Sequence, residues 1–246
     1  MAAGDGAEMV VLPENFALMG LDEADKVEIR EQDGSGQIQD FLAQQAEKHG
    51  LWIVGGTVPL EANEVNKIRA ACLVYDDKGQ RVARYDKIHL FDVTLNDGAE
   101  NYEESATIEP GSDIVVLDTP LGRLGVVVCY DLRFPELFRC LIDQGMEIFV
   151  APSAFTAITG RAHWEVLIRS RALENLCYGV AAAQGGYHVN GRETHGDSMI
   201  VDPWGIVIDR LPRGSGVVIA EIDQGRLQSI RKNFPALSHR RIHCAP

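Results

Sequence analysis

Short apolar runs recur along the whole of this chain, and they constrain its fold more than any other feature of the sequence. Each run is four to eight residues long, and the runs lie at 9–12, 51–58, 70–75, 114–117, 124–128, 147–151, 178–183, 198–201, 206–209 and 217–221. Runs of this length with little alternation between apolar and polar residues are typical of strands covered on both faces. The sequence therefore predicts buried sheets from one end of the chain to the other.

Three helical patterns lie between these runs. Residues 35–49 begin at a serine that can cap a helix and stop at Gly50. Residues 135–144 place Pro135 at the first helical position, and residues 161–176 carry apolar side chains at helical spacing. Strands that alternate with helices predict a layered α/β fold.

The chain contains no repeat and no linker rich in proline or glycine, so we expect one domain over residues 1–246, with 233–246 as a C-terminal tail. A formal net charge of −13 would repel phosphate backbones and anionic lipids, which argues against nucleic-acid and membrane partners. No apolar run approaches the roughly 18 residues of a spanning helix. The first residues also lack the pattern of a secretory leader. These features predict a cytoplasmic protein.

The five cysteines lie far apart along the chain, and no two of them form a C-x-x-C pair. An odd, scattered set of this kind indicates neither a disulfide framework nor a zinc site. We therefore expect reduced thiols and no bound metal.

Three reactive residues each follow an apolar strand pattern: Glu14, Lys87 and Cys129. A thiol, a carboxylate and an amine in one pocket suit acyl transfer, in which the thiolate attacks a carbonyl carbon and the carboxylate carries the proton. Lys87 and the backbone N–H of Tyr130 are candidates to hold the oxyanion. A nearby ammonium and oriented N–H groups are also expected to depress the pKa of the thiol.

Each of these residues also has a structural explanation, and spacing alone leaves the choice open. Cys129 suits a core as a small hydrophobic side chain. Glu14 suits a solvated turn, and Lys87 suits a surface pair with its neighbouring aspartate. His89 and His163 admit a Cys–His protease as a further alternative.

Several ordered motifs resemble the carbon–nitrogen hydrolase (nitrilase) superfamily: "LPENF", "YDKIHLFDV", "GVVVCYDLRFPELFR" and "VDPWG". The segment from "PSAFTAITG" to "VDPWG" is most similar to the Nit1-type branch, amidases that act on deaminated glutathione. The resemblance implies a catalytic triad of Glu14, Lys87 and Cys129. It also implies a second glutamate that orients the first one and the hydrolytic water, at Glu104 in "YEESATIEPG" or, one residue earlier, at Glu103.

The resemblance further implies an α/β fold of four layers, an α-β-β-α sandwich. Members normally carry a strand and a helix before the segment that matches "GAEMVVLPE", so we expect this chain to lack the first strand and helix of the fold. The family chemistry implies a cysteine thioester and requires no metal or organic cofactor. It also implies a homodimer or higher homo-oligomer, formed through residues 135–144, 161–176 and the tail 233–246.

The substrate implied is a small amide that carries a carboxylate. Arg133 and Arg161 are the cationic candidates to bind it. Ser153, Phe155 and Thr159 follow the strand next to that of the nucleophile and are candidates to line the pocket. Three alternatives to deaminated-glutathione chemistry remain open at this point. They are an ω-amidase acting on short dicarboxylic monoamides, a nitrile or N-carbamoyl hydrolase, and a catalytically idle scaffold with the same fold.

Overall fold

Two sheets lie face to face in the computed structural model, which describes residues 1–95 and 100–242. The first sheet has five strands: β1 Met9–Val11, β2 Trp52–Val54, β3 Val58–Glu61, β4 Ile68–Tyr75 and β5 Arg81–Asp86. β2 and β3 share one edge of β4, and β5 pairs along its other edge. All of these pairs are antiparallel, whereas β1 pairs with β2 in parallel.

The second sheet has six strands, which the structure orders from one edge to the other: β15 Val207–Leu211, β14 Ser198–Val201, β11 Tyr178–Ala181, β10 Ile148–Val150, β9 Gly122–Val126 and β8 Val116–Thr119. β9, β10 and β11 are parallel neighbours. Their carboxyl ends therefore open at the same edge of the sheet, where the following loops can build a site.

Two further hairpins, five α-helices and short 3₁₀ turns complete the described structure. The hairpins pair β6 Asp92–Leu95 with β7 Glu100–Glu103, and β12 Gly185–Tyr187 with β13 Glu193–His195. The helices are α1 Asp25–Glu28, α2 Gln37–His49, α3 Pro135–Asp143, α4 Ala157–Asn175 and α5 Gln224–Asn233. Among the described residues, no helix combines the length and the apolarity needed to cross a bilayer.

The largest apolar core lies between the two sheets. It joins Val54 and Val74 of the first sheet to Val126 and Val150 of the second, all four fully buried. A second cluster packs α2 against the outer face of the first sheet, and α4 contacts β11 and β14 of the second sheet. The order of layers is thus helix, sheet, sheet, helix, which confirms the expected sandwich.

The start of α2 differs from the sequence prediction. Gly36 precedes the first helical residue, and no side chain at that position caps the helix. The carboxylate of Glu31 accepts hydrogen bonds from the backbone N–H groups of Ile38 at 2.6 Å and Gln39 at 3.1 Å. A distant acid therefore satisfies the free donors that the predicted serine cap would have satisfied.

One predicted strand is wrong. Residues 217–221 form no strand, and Val217 and Ile219 are both partly exposed. The backbone N–H of Ile219 donates to the Asp209 carboxylate at 3.0 Å, so a side chain takes the place of a ladder partner beside the edge strand β15. The predicted tail 233–246 is described as far as residue 242, and residues 243–246 lie outside the described part of the chain.

Candidate active site

The turn that carries Cys129 is held in an unusual backbone conformation. β9 gives way to a single 3₁₀ turn, Cys129–Arg133, in which Cys129 has a φ of +48°. A non-glycine residue in this left-handed region needs support from its surroundings. The Cys129 N–H supplies part of it by donating to the Pro152 carbonyl at 3.0 Å, which ties the turn to the loop after β10.

Asp131 supplies the rest of this support, a role that the sequence analysis did not assign to it. Its carboxylate is fully buried and accepts the Tyr85 hydroxyl at 2.6 Å and the Val128 N–H at 2.8 Å. The His89 backbone N–H donates to it at 3.0 Å, and His89 Nδ1 lies 2.7 Å from it. Four contacts on one buried carboxylate lock the nucleophile turn to the first sheet.

Lys87 lies between two glutamates behind the nucleophile turn. It follows β5, and its side chain is fully buried. Its Nζ contacts Glu14 Oε1 at 2.9 Å and the two oxygens of Glu104 at 2.9 and 2.8 Å. The first sheet, the loop that follows it and the turn after β7 thus bring three charged groups from distant parts of the sequence into one network.

Glu14 follows β1 at a turn that requires a glycine beside it. Gly56 has a φ of +57°, and a Cβ on it would lie 2.1 Å from the Pro13 carbonyl oxygen. No larger residue fits this close approach without moving the turn. Gln184 Nε2 also donates to the Glu14 carbonyl at 3.1 Å, which links this turn to the second sheet.

The structure distinguishes Glu104 from its neighbour. Glu104 opens a short 3₁₀ turn after β7, and its carboxylate accepts the Phe91 N–H at 2.8 Å as well as the ammonium of Lys87. Glu103 is exposed on the strand. Of the two candidates, Glu104 is therefore the one that hydrogen-bonds Lys87.

The charges in this network shift one another's ionisation. Burial alone lowers the pKa of Lys87, but Glu104 and Glu14 outweigh burial and raise the pKa well above its usual range. Burial alone raises the pKa of Glu104, but Lys87 outweighs it and lowers that pKa. The lysine is therefore a fixed cation between two acids.

The pKa of the Cys129 thiol differs from the value that the sequence led us to expect. Burial, reinforced by Glu14, raises the pKa of Cys129 well above its ordinary value, although Lys87 and a backbone hydrogen bond at Ala154 oppose that rise. The predicted depression of this pKa is wrong. Burial and the neighbouring acid Glu14 destabilise the thiolate by more than the ammonium of Lys87 stabilises it. The resting residue is a thiol, so its attack requires a base.

An open cavity of about 350 Å³ brings together most of the residues predicted for catalysis or substrate contact. Five of them line it in addition to the two glutamates. They are Cys129, Tyr130, Arg133, Phe155 and Thr159. Glu14 and Glu104 also line it, and Lys87 lies behind them. Ser153 and Arg161 are not among the lining residues: the Ser153 hydroxyl donates to the Ala151 carbonyl, and the Arg161 side chain is largely exposed.

Arg133 is a partly buried cation at this cavity. Its guanidinium lies 5.7 Å from the ring centroid of Tyr130 and 5.2 Å from that of Phe155, and its Nη1 lies 3.2 Å from His163 Nδ1. Burial lowers its pKa. Among the described residues the groups that act on its charge are Tyr130 and Cys129 rather than a carboxylate, so it is available to an anionic ligand.

The described residues of this site contain no metal-binding cluster. Within residues 1–95 and 100–242, no cluster of three or more histidine, cysteine, aspartate or glutamate side chains has the arrangement needed to hold a metal ion. His89, which the sequence offered as a protease base, faces Asp131 and stacks on Phe134 with ring centroids 3.6 Å apart.

Comparison with known proteins decides the family. The model of the carbon–nitrogen hydrolase family matches residues 1–232. The chain belongs to the carbon–nitrogen hydrolase family. It is 44% identical over 238 residues to deaminated glutathione amidase of Yersinia enterocolitica, an alignment that covers 96% of this chain and 83% of that protein.

Solved structures of this family share the fold. The NitFhit protein of Caenorhabditis elegans superposes with a TM-score of 0.90 at 38% identity, over 98% of this chain and 58% of that longer protein. Nit3 of Saccharomyces cerevisiae, a member of branch 10 of the nitrilase superfamily, superposes with a TM-score of 0.84 at 31% identity, over 96% of this chain and 83% of that protein. Carbon–nitrogen hydrolases break carbon–nitrogen bonds, so this chain is a hydrolase of such bonds.

Proposed function

We propose that this enzyme hydrolyses the amide bond of deaminated glutathione, or of an amide with the same acyl group. The observation that carries the proposal is the buried contact of Lys87 with Glu14 and Glu104 at the cavity that Cys129 lines. The 44% identity to a deaminated glutathione amidase supports the choice of substrate. That substrate joins a 2-oxo dicarboxylic acyl group to the amine of cysteinylglycine.

The first half of the proposed reaction forms a thioester. Cys129 Sγ attacks the amide carbon while Glu14 accepts the thiol proton, a role required by the raised pKa of the thiol. The electron pair of the carbonyl moves to its oxygen, which the Lys87 ammonium and the Tyr130 N–H stabilise. The carbon–nitrogen bond then breaks, and the amine leaves with the proton that Glu14 carried.

The second half releases the acid. Water attacks the thioester carbon, Glu14 accepts a proton from it, and Glu104 orients both the water and Glu14. The carbon–sulfur bond breaks, and the proton returns to Cys129. The fixed charge of Lys87 suits both halves because a preorganised cation needs no rearrangement as negative charge develops.

A panel of substrates tests this proposal. We expect kcat/KM for deaminated glutathione to exceed that for a nitrile and for an N-carbamoyl amino acid by roughly 100-fold or more, since these lack either the amide or the acyl group. α-Ketoglutaramate, the substrate of the ω-amidase alternative, shares the acyl group and serves as the near comparison. Mass spectrometry of the products checks the bond that is cleaved. Faster turnover of the nitrile or carbamoyl compound would contradict the proposal.

We also propose a cytoplasmic homodimer. Val166 and Leu173, seven residues apart on α4, are exposed apolar side chains. Trp204 and Phe234 are about half exposed, with ring centroids 5.5 Å apart. These four residues include parts of the segments that the family resemblance assigned to the interface, and an exposed apolar patch favours association. Sedimentation of the purified protein as a 27.0 kDa monomer would contradict the dimer.

A further inference from the structure

Arg192 is a second cation at the cavity, and it was not among the residues predicted from the sequence. It lies in the turn of the second hairpin, just before β13, and it lines the same cavity as Cys129. Its side chain is only 17% exposed. Its guanidinium lies over the ring of Tyr102, 5.0 Å from the centroid. An arginine held in this way is largely desolvated and has little freedom to move.

The hydrogen-bonding capacity of Arg192 is only partly used. Nη2 donates to the Ala154 carbonyl at 3.0 Å. Nη1 forms a long ion pair with Glu23 Oε1 at 3.8 Å, which is beyond hydrogen-bond distance. Nε is buried and has no partner among the described residues. A buried N–H group without a partner is costly, so this side chain has the properties of a receptor whose ligand is not part of the chain.

The guanidinium N–H groups of Arg192 indicate the chemical class of the ligand that they would bind. A guanidinium binds a carboxylate through two parallel hydrogen bonds, and the pair is strongest where water is excluded. Arg133 is the other cation that lines the cavity, and both lie in a protein of net charge −13. Two cations at the site of an acidic protein offset the local field for an anionic ligand.

We propose that Arg192 is a specificity-determining residue that binds a carboxylate of the amide substrate, alongside Arg133. This inference rests on the proposed function, because it takes the substrate to be a carboxylate-bearing amide. A deaminated glutathione offers a carboxylate on its acyl group and another on its leaving group. Arg192 binds one of the two, and the products of hydrolysis distinguish them.

A positioning role is the alternative that the test must separate. The Ala154 carbonyl accepts from Arg192, and the backbone of Ala154 also hydrogen-bonds the Cys129 thiol. Loss of the arginine would then shift the environment of the nucleophile. Such a shift would lower kcat with every substrate and would leave carboxylate affinity unchanged.

The experiment measures binding and turnover for wild type, Arg192→Gln and Arg192→Lys. Calorimetry gives the Kd of the two products, 2-oxoglutarate for the acyl side and cysteinylglycine for the leaving side. We expect Arg192→Gln to raise the Kd of one product by roughly 10- to 100-fold and KM for deaminated glutathione to a similar degree, with kcat within a few-fold. Arg192→Lys keeps the positive charge but loses the paired donors of the guanidinium. Its Kd and KM should lie between those of wild type and Arg192→Gln.

Arg213→Gln is the matched control, because Arg213 is an exposed arginine that pairs with Glu193 on the same hairpin. Its product affinities and kinetics should equal those of wild type. Unchanged product affinity in Arg192→Gln, a fall in kcat alone, or wild-type protein that binds neither product would overturn the inference. Absence of turnover on any amide, with product binding still dependent on Arg192, would instead contradict the proposed function.

Discussion

Replacing Cys129 by alanine is expected to reduce amide hydrolysis by roughly 10⁴-fold or more, because no other group in the cavity can form the thioester. The fold should survive the change. Alanine is close to cysteine in size, and the hydrogen bond from residue 129 to the Pro152 carbonyl uses the backbone N–H. Steady-state kinetics on deaminated glutathione and thermal unfolding of the same preparation check both expectations.

Cys177→Ala is the matched control for this variant. Cys177 is a fully buried core thiol, and its Sγ lies 3.8 Å from the Arg171 carbonyl. Its loss should change activity by no more than a few-fold. Turnover retained by Cys129→Ala, in protein shown to be free of wild-type enzyme, would eliminate the proposed nucleophile.

Replacing Lys87 by methionine is expected to abolish detectable turnover and to lower stability by about 3–5 kcal/mol, which corresponds to a fall in Tm of roughly 10 °C. Methionine fills a similar volume but leaves Glu14 and Glu104 facing each other without their shared cation. The oxyanion also loses a fixed charge. Chemical denaturation monitored by fluorescence measures the change in the free energy of unfolding.

The pH dependence of this loss has a definite sign. In wild type the pKa of Glu104 is lowered, so its contribution is present above the unfolded pKa and is lost as pH falls through the folded pKa. In Lys87→Met the carboxylate pair retains a proton that the unfolded chain releases above about pH 4.3, so the variant loses stability as pH rises. The wild-type contribution is already complete at pH 5, so the proton retained by the variant makes the stability gap between the two proteins wider at pH 8 than at pH 5.

Lys67→Met provides the comparison for a surface pair. Lys67 contacts Glu64 at 3.0 Å near solvent, where such a pair contributes about 1 kcal/mol or less. A stability gap for Lys87→Met that is equally small, or that narrows as pH rises, would contradict the buried network described above.

The strand ends could be located from the sequence, and most of the charged and nucleophilic residues of the site lie at these ends. Glu14 and Cys129 each follow an apolar run, Lys87 follows the mixed strand β5, and the sheet edges bring such positions together. The ordered motifs then selected these residues from many similar strand ends. The prediction of a strand at residues 217–221 is wrong, because apolar character does not determine whether a run beside an edge strand pairs with a neighbouring strand.

Residues that act through long-range contacts could not be identified in this way. Asp131 meets Tyr85 and His89 across more than 40 positions of sequence, and Arg192 reaches Ala154 across 38. Charge and spacing carry no signal of such pairs. The same limit applies to Arg161, whose charge suggested a substrate contact although its largely exposed side chain pairs with Glu193 and donates to the Ala157 carbonyl.

Detection of the acyl-enzyme tests the central claim most directly. Wild type and Glu104→Gln, in which hydrolysis of the thioester should be slower, are mixed with deaminated glutathione, quenched in acid within milliseconds to seconds and analysed by intact-protein and peptide mass spectrometry. The account predicts a 2-oxoglutaryl group on the peptide that contains Cys129, and its absence in Cys129→Ala. Product formation with an adduct on another residue, or with Cys129 unmodified throughout in both proteins, would contradict it.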